Sequence, residues 1–280
     1  MLKVLTIRNY FFILLLTTVA LFSTTAVYTS APSSVHGALF ESVRKEILSS
    51  TNIEDSSFLE IYLQEIEIVS KQENKEINPH IEYIFVLSGR SSYLKKPVDS
   101  PAIKDSEDDY NRMELGIKIA RTIVASRLKK PTGDKLDKED LVKYGPQIIY
   151  NGTTKQNETL KSALKQGILA HYPEEKFRIL DLESGEENTR GQFKSLKEHS
   201  PLSNTSVAIV THAYHFPRVA RMVGGKWHPF GLNTKIHFYL VDRQLQAPGV
   251  KEDMVGEVQR LPRYIKQGDL NSSLPKDIFY

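Results

Sequence analysis

From residue 81 onward the chain alternates short apolar runs with longer segments whose apolar residues recur every three or four positions. Ile81–Leu87 (IEYIFVL) is the first such run and stops at Ser88-Gly89-Arg90, as a strand buried on both faces does. A polar, Pro-containing insert from Ser91 to Asp109 follows. Arg112–Arg127 then carries Met113, Leu115, Ile117, Ile119, Ala120, Ile123 and Val124 in a helical pattern. Further strands are predicted over Pro146–Tyr150, Phe177–Leu180, Ser206–Val210 and Lys235–Leu240. Helices are predicted over Glu158–Ala170, Asn188–Glu198, Tyr214–Val223 and Asp253–Lys266, with Pro131–Lys143 as a charged connector. Each crossover is long enough for a right-handed βαβ unit. The pattern predicts an α/β fold of the three-layer, Rossmann-like, doubly wound kind: a mainly parallel five-stranded sheet with helices on both faces.

The region ahead of this alternation is different. Lys3 and Arg8 precede an uncharged stretch from Tyr10 to Val27, the form of a secretory signal. Thr24 and Ala26 suit the small-residue positions before a cleavage point, while the stretch nearly reaches the ~20 residues that span a bilayer. A cleaved signal and a retained anchor both fit, and either leaves the basic end cytoplasmic and exports the body. Residues 1–30 are therefore a targeting element and 31–80 a polar lead-in. Within the lead-in, Phe58, Leu59, Tyr62, Leu63, Ile66 and Ile68 predict an amphipathic helix over Ser57–Ser70 packing on the domain. The α/β domain spans 81–270, and 271–280 is a tail.

Composition narrows the chemistry. The net charge is +3, and no long basic run or interleaved aromatic-basic stripe appears, so nucleic acid is not an expected partner. The absence of cysteine excludes disulfides, thiolate nucleophiles and Cys-ligated zinc.

In doubly wound sheets ligands bind outside the carboxyl ends of the strands, so the residues just after each strand are the candidates. The first strand delivers Ser88, Gly89 and Arg90: glycine admits backbone N–H groups to an anion and the arginine supplies a fork. The second delivers Asn151, Gly152 and Thr153, either donors at a helix N-terminus or an Asn-Gly turn with a threonine cap. The third leads to Glu183, Ser184, Asn188 and Thr189. Here Glu183 is a candidate general base or hydroxyl acceptor, against the reading of a solvated acidic loop with an Asn or Thr cap. The fourth delivers Thr211, His212, His215 and Arg218. His215 and Arg218, three apart, share a helix face, where a histidine exchanges protons and an arginine holds phosphate or carboxylate. His212 and His215 lack a carboxylate at ligand spacing, so no metal site is expected. The acidic run Asp105–Asp109 reads as a solvated insert, and Ser88 lacks the Gly-x-Ser-x-Gly elbow of a serine hydrolase.

At these residues the chain resembles the SanA/YdcF/ElyC-like family of bacterial envelope-associated domains. The resemblance is carried by Leu87-Ser88-Gly89-Arg90, by Tyr150-Asn151-Gly152-Thr153 with Glu158, and by Glu183-Ser184 with Asn188-Thr189 and Gln192. The nearest fit is Thr211, His215 and Arg218 at the family spacing. It covers about Ile81 to Lys266 and implies a Rossmann-like fold, a frequent N-terminal membrane segment and a role at the cell envelope, with no common reaction established and no cofactor specified. The expectation is an exported or inner-membrane-anchored protein facing the periplasm. Its polar cleft would bind an anionic, phosphorylated or nucleotide-like small molecule through Arg90 and Arg218, with His215 moving protons if it is a hydrolase or transferase. The alternative is a non-catalytic envelope factor that works through protein partners.

Overall fold

The apolar runs rich in β-branched and aromatic residues form strands β1 (Ile81–Leu87), β2 (Gln147–Asn151), β3 (Phe177–Ile179), β4 (Ser206–His212) and β5 (Lys235–Val241). In the computed structural model they join a two-residue β6 (Ile278–Phe279) in one sheet of order β3-β2-β1-β4-β5-β6, every pairing parallel. The structure describes residues 37–49, 53–70, 76–89, 107–132, 135–169, 171–183, 186, 188–199, 202–226, 228–231, 233–241, 249–275 and 278–279. The predicted targeting segment, Arg90 and Ser184 lie outside them. Among the described residues no helix is long and apolar enough to cross a membrane.

Among the described residues, eight helices accompany the sheet: α1 (Gly37–Ser49), α2 (Ile53–Ser70), α3 (Glu107–Arg127), α4 (Lys138–Tyr144), α5 (Thr154–Lys165), α6 (Thr189–His199), α7 (Phe216–Val223) and α8 (Val250–Lys266). The expected connector over 131–143 contains α4, whose Leu141 is buried against the core. Its single buried apolar residue gave no period to read. Helix α5 starts four residues before the predicted Glu158, because Thr153 and Gln156 form a reciprocal capping box.

Strand pleating sorts the core into two layers. Phe85, Leu87, Ile149, Val207, Ile209, Ile236 and Phe238 face α1, α2, α6, α7 and α8. Ile84, Val86, Ile148, Tyr150, Ala208 and Val210 face α3, α4 and α5. Burying each valine, leucine, isoleucine or phenylalanine among them contributes about 1.5–3 kcal/mol. Helix α3 approaches β1 closely at Gly116, where an added Cβ would lie 2.9 Å from Val86 Cγ2.

The strand order fixes where function belongs. From β1 the chain winds outward to β2 and β3, then returns to lay β4 on the other side of β1. The crevice between the carboxyl ends of β1 and β4 is the topological switch point, the place where open α/β sheets bind ligands.

Candidate functional site

Strand β4 ends in two adjacent polar residues, and the pleat sends them to opposite faces. Thr211 follows Val207 and Ile209 toward α6–α8, whereas His212 follows Ala208 and Val210 toward α3. Both are fully buried. Each meets an arginine network on its own side of the sheet.

On the α6–α8 side, the 3-10 turn Ala213–His215 leads into α7. Arg218 Nη2 donates to His215 Nε2 at 2.7 Å and Arg218 Nη1 to Thr189 Oγ1 at 3.1 Å. A guanidinium has donors only, so Nε2 carries the lone pair and the ring proton sits on Nδ1. That nitrogen faces Thr211 Oγ1 at 3.2 Å. Burial first, then the nearby charges of Arg218 and Arg112, hold the His215 pKa well below its ordinary value, so the ring is neutral. The charge of Arg218 is met by Glu257 of α8 through two bonds, 2.5 Å from Nε and 3.0 Å from Nη2. Both side chains are nearly enclosed, at 12% and 4% exposure.

On the α3 side, Arg112 reaches across the switch point. Its Nε donates to His212 Nδ1 at 2.7 Å and its Nη1 to the Leu87 carbonyl of β1 at 2.9 Å. Arg112 is 1% exposed. Asp109, one turn earlier, directs its carboxylate elsewhere: it accepts from Gly89 N–H, from Tyr150 OH at 2.9 Å and from Gln156 Nε2 at 3.0 Å. No carboxylate among the described residues ion-pairs with Arg112, and its Nη2 has no partner among them.

The structure thus gathers His215, Arg218, Thr189 and Thr211 into one network. It corrects several other expectations. The N–H groups of Ser88 and Gly89 cannot cradle an anion, because Gln192 Oε1 and Asp109 already accept from them. The N–H groups of Gly152 and Thr153 are likewise taken, by Asn157 Oδ1 and Gln156 Oε1, both at the start of α5. Asn188 Oδ1 caps α6 by accepting from Gly191 N–H. Glu183 lies on the surface, 64% exposed and paired with Lys194 at 2.6 Å, outside the network and unable to act there as a base. Asp109, expected in a solvated insert, is 1% exposed.

Asn151 keeps a different interest. It is wholly buried, and its Nδ2 donates to the Gln192 carbonyl at 2.6 Å. That bond fixes the amide orientation and leaves Oδ1 a buried acceptor without a partner.

Sequence reasoning missed Arg112, Asp109, Gln156 and Glu257. Arg112 and Asp109 sit one turn apart at the start of a helix that follows the first strand, a signal that was present but hidden by the preceding polar insert. Glu257 gave no local signal, since only tertiary packing brings α8 to Arg218. Among the described residues no group of three or more acidic or histidine side chains is placed to hold a metal ion. Compared with models of known families, with curated proteins and with solved structures, the chain matches none of them.

Proposed function

We propose that this chain is an exported, envelope-associated protein of the SanA/YdcF/ElyC-like kind whose switch-point crevice binds an anionic small molecule. One observation carries the reading: Arg112 is a buried guanidinium at the β1/β4 switch point with no carboxylate counter-ion among the described residues. A buried guanidinium without a paired carboxylate is costly to keep, and a phosphate or carboxylate of a ligand would supply that pairing and engage Nη2. The open Asn151 Oδ1 offers an acceptor to a ligand hydroxyl or amine at the same edge of the sheet. Arg218, expected to clamp the anion, is neutralised by Glu257 and instead holds His215. The Thr211, His215, Arg218 spacing supports the family resemblance, and the apolar Tyr10–Val27 stretch supports export to the periplasmic side, cleaved or anchored.

The same geometry favours binding over turnover. Both imidazoles accept from a guanidinium, His212 through Nδ1 and His215 through Nε2. Neither can donate from that nitrogen, and a general base needs its lone pair free.

The test is thermal denaturation of the full chain with inorganic phosphate and a panel of phosphorylated sugars and nucleotides, beside Arg112→Gln. A ligand at about 100 times its Kd adds about 2.7 kcal/mol of stability, which Arg112→Gln should abolish. If no phosphorylated compound stabilises the native chain, the anion-binding reading fails and a role through protein partners takes its place.

A further inference from the structure

The helix ahead of the α/β alternation reaches into the network just described. Tyr62 of α2 is fully buried, and its OH donates to the Tyr214 carbonyl at 2.7 Å. Tyr214 is the middle residue of the 3-10 turn that presents His215. One turn further along α2, the Glu65 carboxylate receives Arg221 Nη1 at 2.6 Å and Nη2 at 2.8 Å, and Arg221 is itself 1% exposed. Arg221 lies one turn beyond Arg218 on α7. The short helix is therefore gripped from two sides, Arg218 by α8 through Glu257 and Arg221 by α2 through Glu65.

These are not generic packing contacts. Helix α7 has eight residues and starts without a side-chain cap, and a helix that short has little stability of its own. Its orientation must come from what holds it. The carbonyl of Tyr214, in the turn that leads into the helix, accepts from Tyr62 and so ties that turn to α2. Burial, and next the neighbouring Glu257, push the Tyr62 phenol well above its ordinary range, so the hydroxyl stays a donor.

We infer that α2 is part of the site, with Tyr62 and Glu65 as positioning residues that set the Ala213–His215 turn and α7, and through them the contact of His215 with Arg218. This rests on the reading of the switch-point crevice as a binding site. Its readout needs no ligand.

In the full chain, long-range ¹H–¹⁵N spectra of the imidazoles report which ring nitrogen carries the proton. The native chain should show His215 protonated on Nδ1. Tyr62→Phe and Glu65→Gln should move the His215 ring signals toward mixed tautomers while far-UV circular dichroism stays native. Arg44→Ala, which removes the surface link from α1 to Glu60 of α2, is the control and should leave the ring signals unchanged. The inference is overturned if Tyr62→Phe and Glu65→Gln leave the His215 ring signals identical to the native chain and to Arg44→Ala. A native chain that binds no phosphate overturns the binding reading alone, because the ring signals still decide the role of α2.

Discussion

Arg218 donates to the Nε2 of His215 across 2.7 Å while both of its own outer nitrogen edges are engaged, by Glu257 on one and Thr189 on the other. The arrangement makes the guanidinium a fixture and the imidazole its dependent. A ring held this way is neutral, acceptor on one side and donor on the other.

The stability of the protein depends on pH through His215. Burial and two guanidiniums depress the folded pKa of His215 below its unfolded value near 6.5. Above the unfolded value neither state binds the proton and His215 makes no contribution to the slope. As pH falls through that value the unfolded chain takes up a proton that the native ring refuses. Stability therefore drops with acidification at up to about 1.4 kcal/mol per pH unit from this group. Urea titrations between pH 8 and pH 5 should show the loss starting near pH 6.5, and His215→Gln should flatten it.

Glu257→Gln leaves the charge of Arg218 buried without a counter-ion. Removing one partner of an enclosed pair costs about 3–5 kcal/mol, and the midpoint of urea unfolding should fall accordingly. Replacing both, as Arg218→Met with Glu257→Leu, should restore much of that stability while freeing the His215 ring to adopt either tautomer.

Asp109→Asn tests the second arginine network. Three donors converge on that carboxylate, from Gly89, Tyr150 and Gln156. An amide offers one acceptor and turns a donor toward a donor, at a cost of about 1–3 kcal/mol. Tyr150→Phe, which only deletes one of the three, should cost about 1 kcal/mol. Calorimetric unfolding separates the two.

Glu183→Ala should change neither stability nor phosphate binding, because the carboxylate pairs with Lys194 at the surface, where solvent screens the interaction. A marked loss of binding in this variant would place a base where the geometry has none.

The fold was legible because a parallel sheet buried on both faces leaves uninterrupted apolar runs. Ile81–Leu87 could be delimited to the residue, and β4 to its start at Ser206. The two residues by which β4 outran its prediction are the polar ones, Thr211 and His212, which pair with Leu240 and Val241 although their side chains break the apolar pattern. The departure from pattern marks the site. Helix α4 and strand β6 were invisible, one for lack of an apolar period and the other for having two residues.

At the site, local spacing found what one helix turn determines, namely His215 with Arg218. It also found Thr189 and Thr211, each placed after a predicted strand. It could not distinguish a backbone N–H that waits for an anion from one already met by a side chain distant in sequence. Ser88 and Gln192 are 104 residues apart, and no reading of Ser88-Gly89-Arg90 discloses that bond. Glu183 was misplaced for the converse reason: an acidic residue after a strand looks the same whether the chain then turns inward or outward.

Because Thr211 and His212 are neighbours on a pleated strand, the hydroxyl of one half of the crevice and the imidazole of the other are locked in antiphase. Sliding β4 by a single position against β1 would hand the threonine to Arg112 and the histidine to Arg218's side, dismantling both halves at once. The crevice is thus all-or-none with respect to strand alignment, and its two ring signals double as a built-in gauge of whether the central strands have docked in phase.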